Sequence, residues 1–168
     1  NIFKKRKIFS KKKLPKGMIT KSLLDDYKVG LLTIMVRRAF IKDIKNIFDV
    51  NYDLLADFDF VIKFSMKYKF DCIQEPVAIY RKHANQLQRK FFEKQVDQLE
   101  KWFENVSETL KYCSYNNVGS IKNKIQYMKI LKLIDEKKYL QSFLKIVIYP
   151  FSLNKLKLII IYMVPNFI

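Results

Sequence analysis

Two short stretches hold most of the side chains in this sequence that could take part in catalysis. Residues 56–60 read ADFDF, and residues 74–85 read QEPVAIYRKHAN. The second stretch contains Arg81 and His83, and His83 is the single histidine of the chain. A carboxylate can accept a proton, while an arginine and a histidine can face an anionic group. Together the two stretches could form a site for an anionic substrate.

Hydrophobic periodicity predicts the elements that position these residues. Residues 54–68 read as an amphipathic helix, with Asp57 and Asp59 in the first turn, where the helix dipole favours anions. The apolar run at 30–36 is typical of a buried strand, and residues 70–73 and 77–80 read as two short strands. The first 86 residues therefore indicate a mixed α/β arrangement.

From residue 87 onward the pattern becomes helical. Apolar residues recur at spacings of four and three, at Phe92, Val96, Leu99, Phe103, Val106 and Leu110. Such a seam either packs within its own domain or pairs in a coiled-coil dimer. Residues 121–133, 138–149 and 154–164 follow as amphipathic helices with many lysines. We therefore divide the chain into residues 1–86 and a basic helical tail, residues 87–168.

Composition narrows the possible partners. The 168 residues carry a net charge of +17, with 28 Lys and only 5 Arg. Proteins that read nucleic acid rely on arginine forks, so we do not expect a nucleic-acid partner. No apolar stretch approaches the about 20 residues of a membrane span. The two cysteines have no second Cys or His at zinc-ligand spacing.

The ordered motifs resemble those of bacterial family 2 glycosyltransferases. That family has a Glu-Asp-x-Asp-like stretch that opens a helix, then a strand, then a Glu-Pro-hydrophobic-x-Tyr-Arg-x-His-x-x-Asn-like ending. Residues 56–60 and 74–85 match these motifs in order and spacing. Residues 30–38 resemble the strand before the acidic motif, and residues 14–17 the segment ahead of it. The similarity covers residues 10–90 and, more loosely, the tail.

The resemblance implies a fold and a reaction. The fold would be the C-terminal, acceptor-side part of a GT-A type α/β domain with few strands (residues 1–86), followed by the amphipathic tail. The reaction would be inverting transfer of a sugar from a nucleotide-diphosphate donor to a glycan or lipid-linked acceptor, in cell-surface polysaccharide synthesis. We expect a cytoplasmic protein with peripheral contact to the inner face of the cell membrane.

The resemblance also implies residue roles, each with a structural alternative. Asp57 matches the catalytic base, or it caps the helix. Asp59 binds the acceptor hydroxyl, or it is a second cap. His83 matches the histidine near the metal and the diphosphate, and Arg81 matches the arginine that binds the diphosphate. Arg81 could instead form a salt bridge with Glu75 or Asp57.

The sequence departs from the family pattern in several places. Ala56 replaces the usual acid, Ala84 replaces a frequent glycine, and Gln88 stands where serine is common. No segment matches the family's nucleotide-binding strand and its Asp-x-Asp motif, since Asp57-Phe58-Asp59 opens a helix. We therefore expect the chain to begin inside the domain and to be inactive alone. A divalent metal, Mg²⁺ or Mn²⁺, would be held mainly by the missing N-terminal half.

A non-catalytic alternative rests on the tail. Its lysines punctuate apolar runs, and basic amphipathic helices of this kind lie on membranes rather than span them. The chain could therefore be a basic membrane-surface binding module without chemistry. The same helices could instead cover the catalytic domain with a solvated lysine face. An anionic membrane surface is thus a predicted partner under either function.

Overall fold

The computed structural model of this chain describes residues 8, 12–42, 47–81, 91–112 and 118–164. These residues contain the helices α1 (Thr20–Asp25), α2 (Arg38–Ile41), α3 (Ala56–Lys67), α4 (Phe92–Tyr112), α5 (Gly119–Asp135), α6 (Tyr139–Ile148) and α7 (Leu153–Met163). They form two compact units. The first unit takes the described residues up to 51 and those of 56–81, and the second takes residues 52–55 and those from 91 onward. The domain boundary predicted near residue 86 lies outside the described residues.

The predicted α/β fold is wrong, because the part of the chain that the structure describes is helical and contains no β-strand. The expected strand at 30–36 begins with a turn of 3-10 helix, Leu31–Thr33, and continues as extended chain. Met35 is 98% exposed there. An apolar run shows a preference for burial, but a strand also needs a backbone partner from elsewhere in the chain. No described segment supplies one, so these residues form no GT-A type sheet.

The two strands expected at 70–73 and 77–80 are also not formed. Phe70 makes one antiparallel bridge with Gly17, through hydrogen bonds of 2.7 and 2.8 Å. The next link is a side chain: Gln74 Oε1 accepts from the Leu14 amide at 2.9 Å, and Gln74 Nε2 donates to the Leu14 carbonyl at 3.2 Å. One bridge and one amide side chain therefore replace the expected ladder.

The first unit is organised around α3. This helix packs against α1, and Leu23 of α1 and Ile62 of α3 are both buried. Between the helices, the buried Ser65 hydroxyl donates to Thr20 Oγ1 at 3.0 Å, so neither hydroxyl is left unsatisfied by burial. An aromatic group extends the core, with Phe64 and Tyr68 ring centroids 4.7 Å apart. These contacts fix the helix that carries both acidic residues of the first motif.

The second unit begins with α4, whose buried residues recur every three or four positions at Val96, Leu99, Trp102, Val106 and Leu110. This seam packs against α5 of the same chain. A salt bridge of 2.7 Å from Lys132 to Asp97 lies beside it. The predicted helix is confirmed, but Phe92 and Phe103 of the predicted seam are only half-buried, and Trp102, which was not in it, is fully buried. The coiled-coil dimer stays an untested alternative.

Helices α5, α6 and α7 share a small core formed by Ile130, Ile134, Ile146, Tyr149 and Leu158. Helix α5 ends in a Schellman motif, in which the Lys137 amide donates to Ile134 O and the Lys138 amide donates to Leu133 O. Lys137 therefore adopts the left-handed conformation, with φ 58°. The three helices that periodicity predicted for this region are confirmed. Of the helices described, none is long and apolar enough to cross a bilayer.

Candidate active site

The first turn of α3 contains the acidic pair that the sequence singled out. Asp57 and Asp59 both lie there, as predicted. Asp57 is half-buried, and its Oδ1 accepts the Phe58 amide at 2.8 Å. That bond satisfies one of the amides that a helix start leaves without an intrahelical partner. No lysine or arginine in the described part of the chain forms an ion pair with Asp57.

Asp59 has a different environment two residues further on. Its side chain is 0% exposed, and Oδ2 forms an ion pair of 2.6 Å with Lys63, one helical turn later. A buried carboxylate needs such a cation, because removing it from water is costly without one. Asp59 is therefore engaged inside the first unit, and its role as an acceptor ligand stays a prediction. The spacing of four residues to Lys63 was visible in the sequence and signals this pairing.

Tyr27 lies next to the start of α3 and belongs to neither of the two sequence motifs. Its ring packs edge-to-face on Phe58, with centroids 4.9 Å apart. The hydroxyl is buried and finds no hydrogen-bond partner among the described residues. Burial, with a smaller contribution from the negative charge of Asp57, raises the pKa of the Tyr27 phenol. A neutral O–H donor thus lies near the Asp57 carboxylate, and nothing in the sequence pattern could have indicated it.

The second motif is described only in part. Arg81 is exposed and follows the extended residues 77–80. Neither Asp57 nor Glu75 forms a hydrogen bond or ion pair with it. His83 lies outside the described residues, so its predicted contact with a metal and a diphosphate stays a prediction. The structure therefore brings the two acids together on α3 and leaves the basic part of the site unassigned.

The resemblance implies a divalent metal, and the described residues offer few ligands for one. No group of three or more His, Cys, Asp or Glu side chains within the described ranges is close enough to hold one. Asp59, the nearest acid to Asp57 in the sequence, is already paired with Lys63. These residues do not fit a Mg²⁺ or Mn²⁺ site, and no step below depends on one.

A groove in the first unit runs beside α3, between the extended residues 34–36 and residues 69–71. It is lined mainly by apolar side chains, including Val61 and Phe64. Its volume of about 100 Å³ is well below the about 300–1,000 Å³ of typical small-molecule sites. The groove cannot enclose a sugar nucleotide, and Asp57 does not line it.

Comparison with known proteins gives no relative for this chain. No family model, no curated protein and no solved structure matches it. The similarity to family 2 glycosyltransferases therefore rests on the motifs of the sequence, and the geometry of α3 and Tyr27 is the structural information that bears on it.

Proposed function

We propose that this chain contributes the acceptor side of a glycosyltransferase, which moves a sugar from a nucleotide-diphosphate donor to a glycan or lipid-linked acceptor. The supporting observation is the contrast between the two acids of one helical turn. Asp57 is half-buried and pairs with no described cation, while Asp59 is fully buried against Lys63. A general base must be reachable by substrate and able to take a proton, and Asp57 meets both requirements.

The reaction assigns Asp57 a single proton transfer. The acceptor hydroxyl gives its proton to the Asp57 carboxylate, and its oxygen forms a bond to the anomeric carbon of the donor sugar. The bond from that carbon to the diphosphate oxygen breaks, and the nucleotide diphosphate leaves with the electron pair. Configuration at the carbon inverts because attack and departure take place on opposite faces.

Tyr27 supports this assignment as a neighbour of the base. Buried polar groups are normally hydrogen-bonded, and the Tyr27 hydroxyl has no partner among the described residues, yet lies close enough to Asp57 for the carboxylate's charge to act on it. Its raised pKa keeps the phenol protonated and able to donate at neutral pH. We therefore place Tyr27 beside Asp57 as a positioning residue, which orients the acceptor or the carboxylate.

The parts of the reaction that handle the donor remain predictions from the motif. Arg81 and His83 would face the diphosphate of the donor. The alternative function is a basic membrane-surface binding module without chemistry, which the exposed apolar side chains of α6 and α7 support.

Replacement of Asp57 by Asn separates the two functions. Asn keeps the size and the amide contact at the helix start but cannot accept the proton. In extracts of the cell that carries the gene, we expect transfer of labelled sugar from nucleotide-sugar donors to membrane glycans to fall by about 10²–10⁴-fold.

Asp25→Asn is the matched control, because Asp25 is an exposed acid of α1 in the same unit. It makes the same change of charge and should leave transfer unchanged. Near-wild-type transfer by the Asp57→Asn protein, with unchanged helicity, would mean that Asp57 only caps α3. The non-catalytic alternative would then be preferred.

A further inference from the structure

Helix α6 has two apolar faces, and only one of them is used by the fold. Ser142 and Ile146 are buried, and Ile146 belongs to the core shared with α5 and α7. A second stripe is exposed and follows the spacing i, i+3, i+4, i+7, formed by Leu140, Phe143, Leu144 and Val147. This spacing places the four side chains on one side of the helix. A complete apolar face is thus left open to solvent.

Helix α7 repeats this arrangement. Leu158 is fully buried, and Ile161 and Tyr162 pack on the same core. The opposite side carries Leu156, Ile160 and Met163, which are exposed and are separated by four and three residues. The two helices are joined through aromatic contacts, such as Phe143 with Tyr162 at 6.0 Å between centroids. We call residues 139–164 the hairpin, and its exposed apolar side chains the hairpin surface.

The most exposed apolar side chains of the hairpin lie in the turn between α6 and α7 and at the helix ends beside it. Ile148 is 83%, Phe151 is 87% and Leu153 is 77% exposed. Lys155 Nζ donates to the carbonyls of Val147 and Tyr149 at 2.7 and 2.8 Å, which satisfies carbonyls at the end of α6. The backbone of the turn is therefore held by hydrogen bonds.

The charge around this surface has one sign. Residues 137–164 contain five lysines, at positions 137, 138, 145, 155 and 157, and no Asp or Glu, so they carry +5. Monomeric proteins rarely expose large contiguous apolar patches, and such patches mark protein or membrane contacts. Lys138 pairs with Glu136, and the remaining lysines leave the border of the apolar surface positive, which matches a phase that is apolar inside and anionic outside.

We propose that the hairpin surface docks on an anionic lipid bilayer, with the turn at 148–153 inserted among the acyl chains and the lysines at the level of the headgroups. The hairpin lies in the plane of the membrane. An 11-residue helix such as α7 is only about 16 Å long, about half the thickness of the hydrocarbon core. Lysine stems can follow the interface while their ammonium groups stay in water.

Charge argues against a second copy of the chain as the occupant. Two hairpins would bring +5 against +5, and two whole chains +17 against +17. Like charges opposed across an interface are unfavourable. Docking of the hairpin does not depend on whether Asp57 is a base, and neither substitution test below touches α3.

The test is co-sedimentation of the full chain with vesicles of phosphatidylcholine alone, or mixed equally with phosphatidylglycerol. We expect binding to the anionic vesicles that weakens with added salt. Phe151→Ser should lower the partition coefficient about tenfold, the scale for losing one large apolar side chain. Lys145→Gln with Lys157→Gln should lower binding to anionic vesicles only. Met35→Ser, an equally exposed residue of the first unit, is the matched control and should change nothing.

A second measurement reports insertion directly. Trp102 is the single tryptophan and is fully buried, so wild-type emission gives a constant background. In a Phe151→Trp variant, brominated lipid should quench the new fluorescence, and in a Met35→Trp variant it should not. The proposal is overturned by absence of vesicle binding, by equal binding to neutral and anionic vesicles, or by unchanged binding of Phe151→Ser. It is also overturned if Phe151→Ser abolishes self-association while vesicles have no effect.

Discussion

The two units expose apolar side chains on different kinds of backbone. In the first unit these groups lie outside any helix, at Met35, Ile73, Val77 and Ile79, where the described backbone forms no ladder. In the second unit they lie on α6 and α7, whose amides and carbonyls are bonded within the helices. A partner that buries the first set must therefore supply backbone hydrogen bonds as well as an apolar surface. A partner that buries the helical set needs mainly an apolar surface.

This difference indicates what could cover each surface. An extended apolar segment is completed by another strand, whether from the same domain or from another chain. A helix with an apolar outer face can lie on lipid, because the backbone groups in its middle are bonded within the helix. The exposed segments at 34–36 and 71–80 also explain why the strand predictions were reasonable from composition and still wrong for the described residues.

The largest effect that we expect in either unit comes from the buried ion pair of α3. Lys63→Met removes the cation that neutralises the fully buried Asp59. Loss of one partner from a buried pair costs about 3–5 kcal/mol. Since a third of the Lys63 side chain is exposed and water reaches it, we expect the lower value, about 3 kcal/mol. The measurement is urea unfolding followed by circular dichroism.

The double variant Asp59→Asn, Lys63→Met is the control, because it removes both charges. It should recover a large part of the lost stability, which gives a coupling energy for the pair. A Lys63→Met protein as stable as wild type would mean that Asp59 tolerates burial without this lysine. The contrast between Asp59, which is ion-paired with Lys63, and Asp57, which has no described cation partner, would then not support a catalytic role for Asp57.

The sequence predicted the helices of this protein better than its extended parts. The spacing of Val96, Leu99, Val106 and Leu110 is a local property that directly reports α4. Residues 30–36 have the composition of a strand, but strand pairing depends on a partner distant in the sequence. The candidate site around α3 also has one part with a local sequence signal and one part that depends on contacts between distant residues. The positions of Asp57 and Asp59 in the first turn were predictable, whereas the buried Tyr27 hydroxyl results from tertiary packing and has no local signal.

The next test addresses the comparison of the two exposed surfaces. A charge on an unpaired strand edge blocks pairing with another chain. Where residues 73–79 pair with a second chain, Val77→Lys should raise the concentration needed for that pairing by about tenfold. Phe151→Lys in the second unit should not, because its helices offer no backbone groups for pairing. Sedimentation velocity in the absence of lipid distinguishes the variants, and an equal effect of both would remove the difference between the surfaces.

Two tyrosines, one in each unit, allow a matched test of buried hydroxyls. Tyr27 has no described hydrogen-bond partner, while Tyr149 donates to Asn123 O at 3.1 Å. Tyr149→Phe should lower stability by about 1 kcal/mol, the net value of one hydrogen bond. Tyr27→Phe should leave stability unchanged or raise it by about 1 kcal/mol, and it should lower sugar transfer if Tyr27 positions substrate. A destabilised Tyr27→Phe protein would mean that the hydroxyl does have a partner.

The raised pKa of Tyr27 adds a pH dependence with a definite sign. An unfolded tyrosine has a pKa of about 10, and burial raises the folded value. Folding therefore favours the neutral phenol, so this contribution to stability is complete below about pH 10 and is lost as the pH rises above it. Tyr27→Phe removes the contribution. Its unfolding free energy should fall less than that of the wild type between about pH 9 and 11, and parallel curves would exclude Tyr27 as the source.

The smallest effect concerns a helix end of the second unit. Lys137 holds the C′ position of the Schellman motif after α5 with φ 58°, a conformation that glycine adopts without steric cost. Lys137→Gly should raise the stability of the second unit by about 0.5–1 kcal/mol. The neighbour Lys138 has φ −82°, where glycine only adds freedom to the unfolded chain, so Lys138→Gly should lower stability by a similar amount. Lys138 also forms an ion pair of 2.7 Å with Glu136, so Lys138→Ala and Lys137→Ala are measured beside the glycine variants, and each Ala-to-Gly difference isolates the backbone. Equal melting temperatures would mean that Lys137 is not strained, and that the turn into the hairpin is set by packing on Ile134 and Ile146 alone.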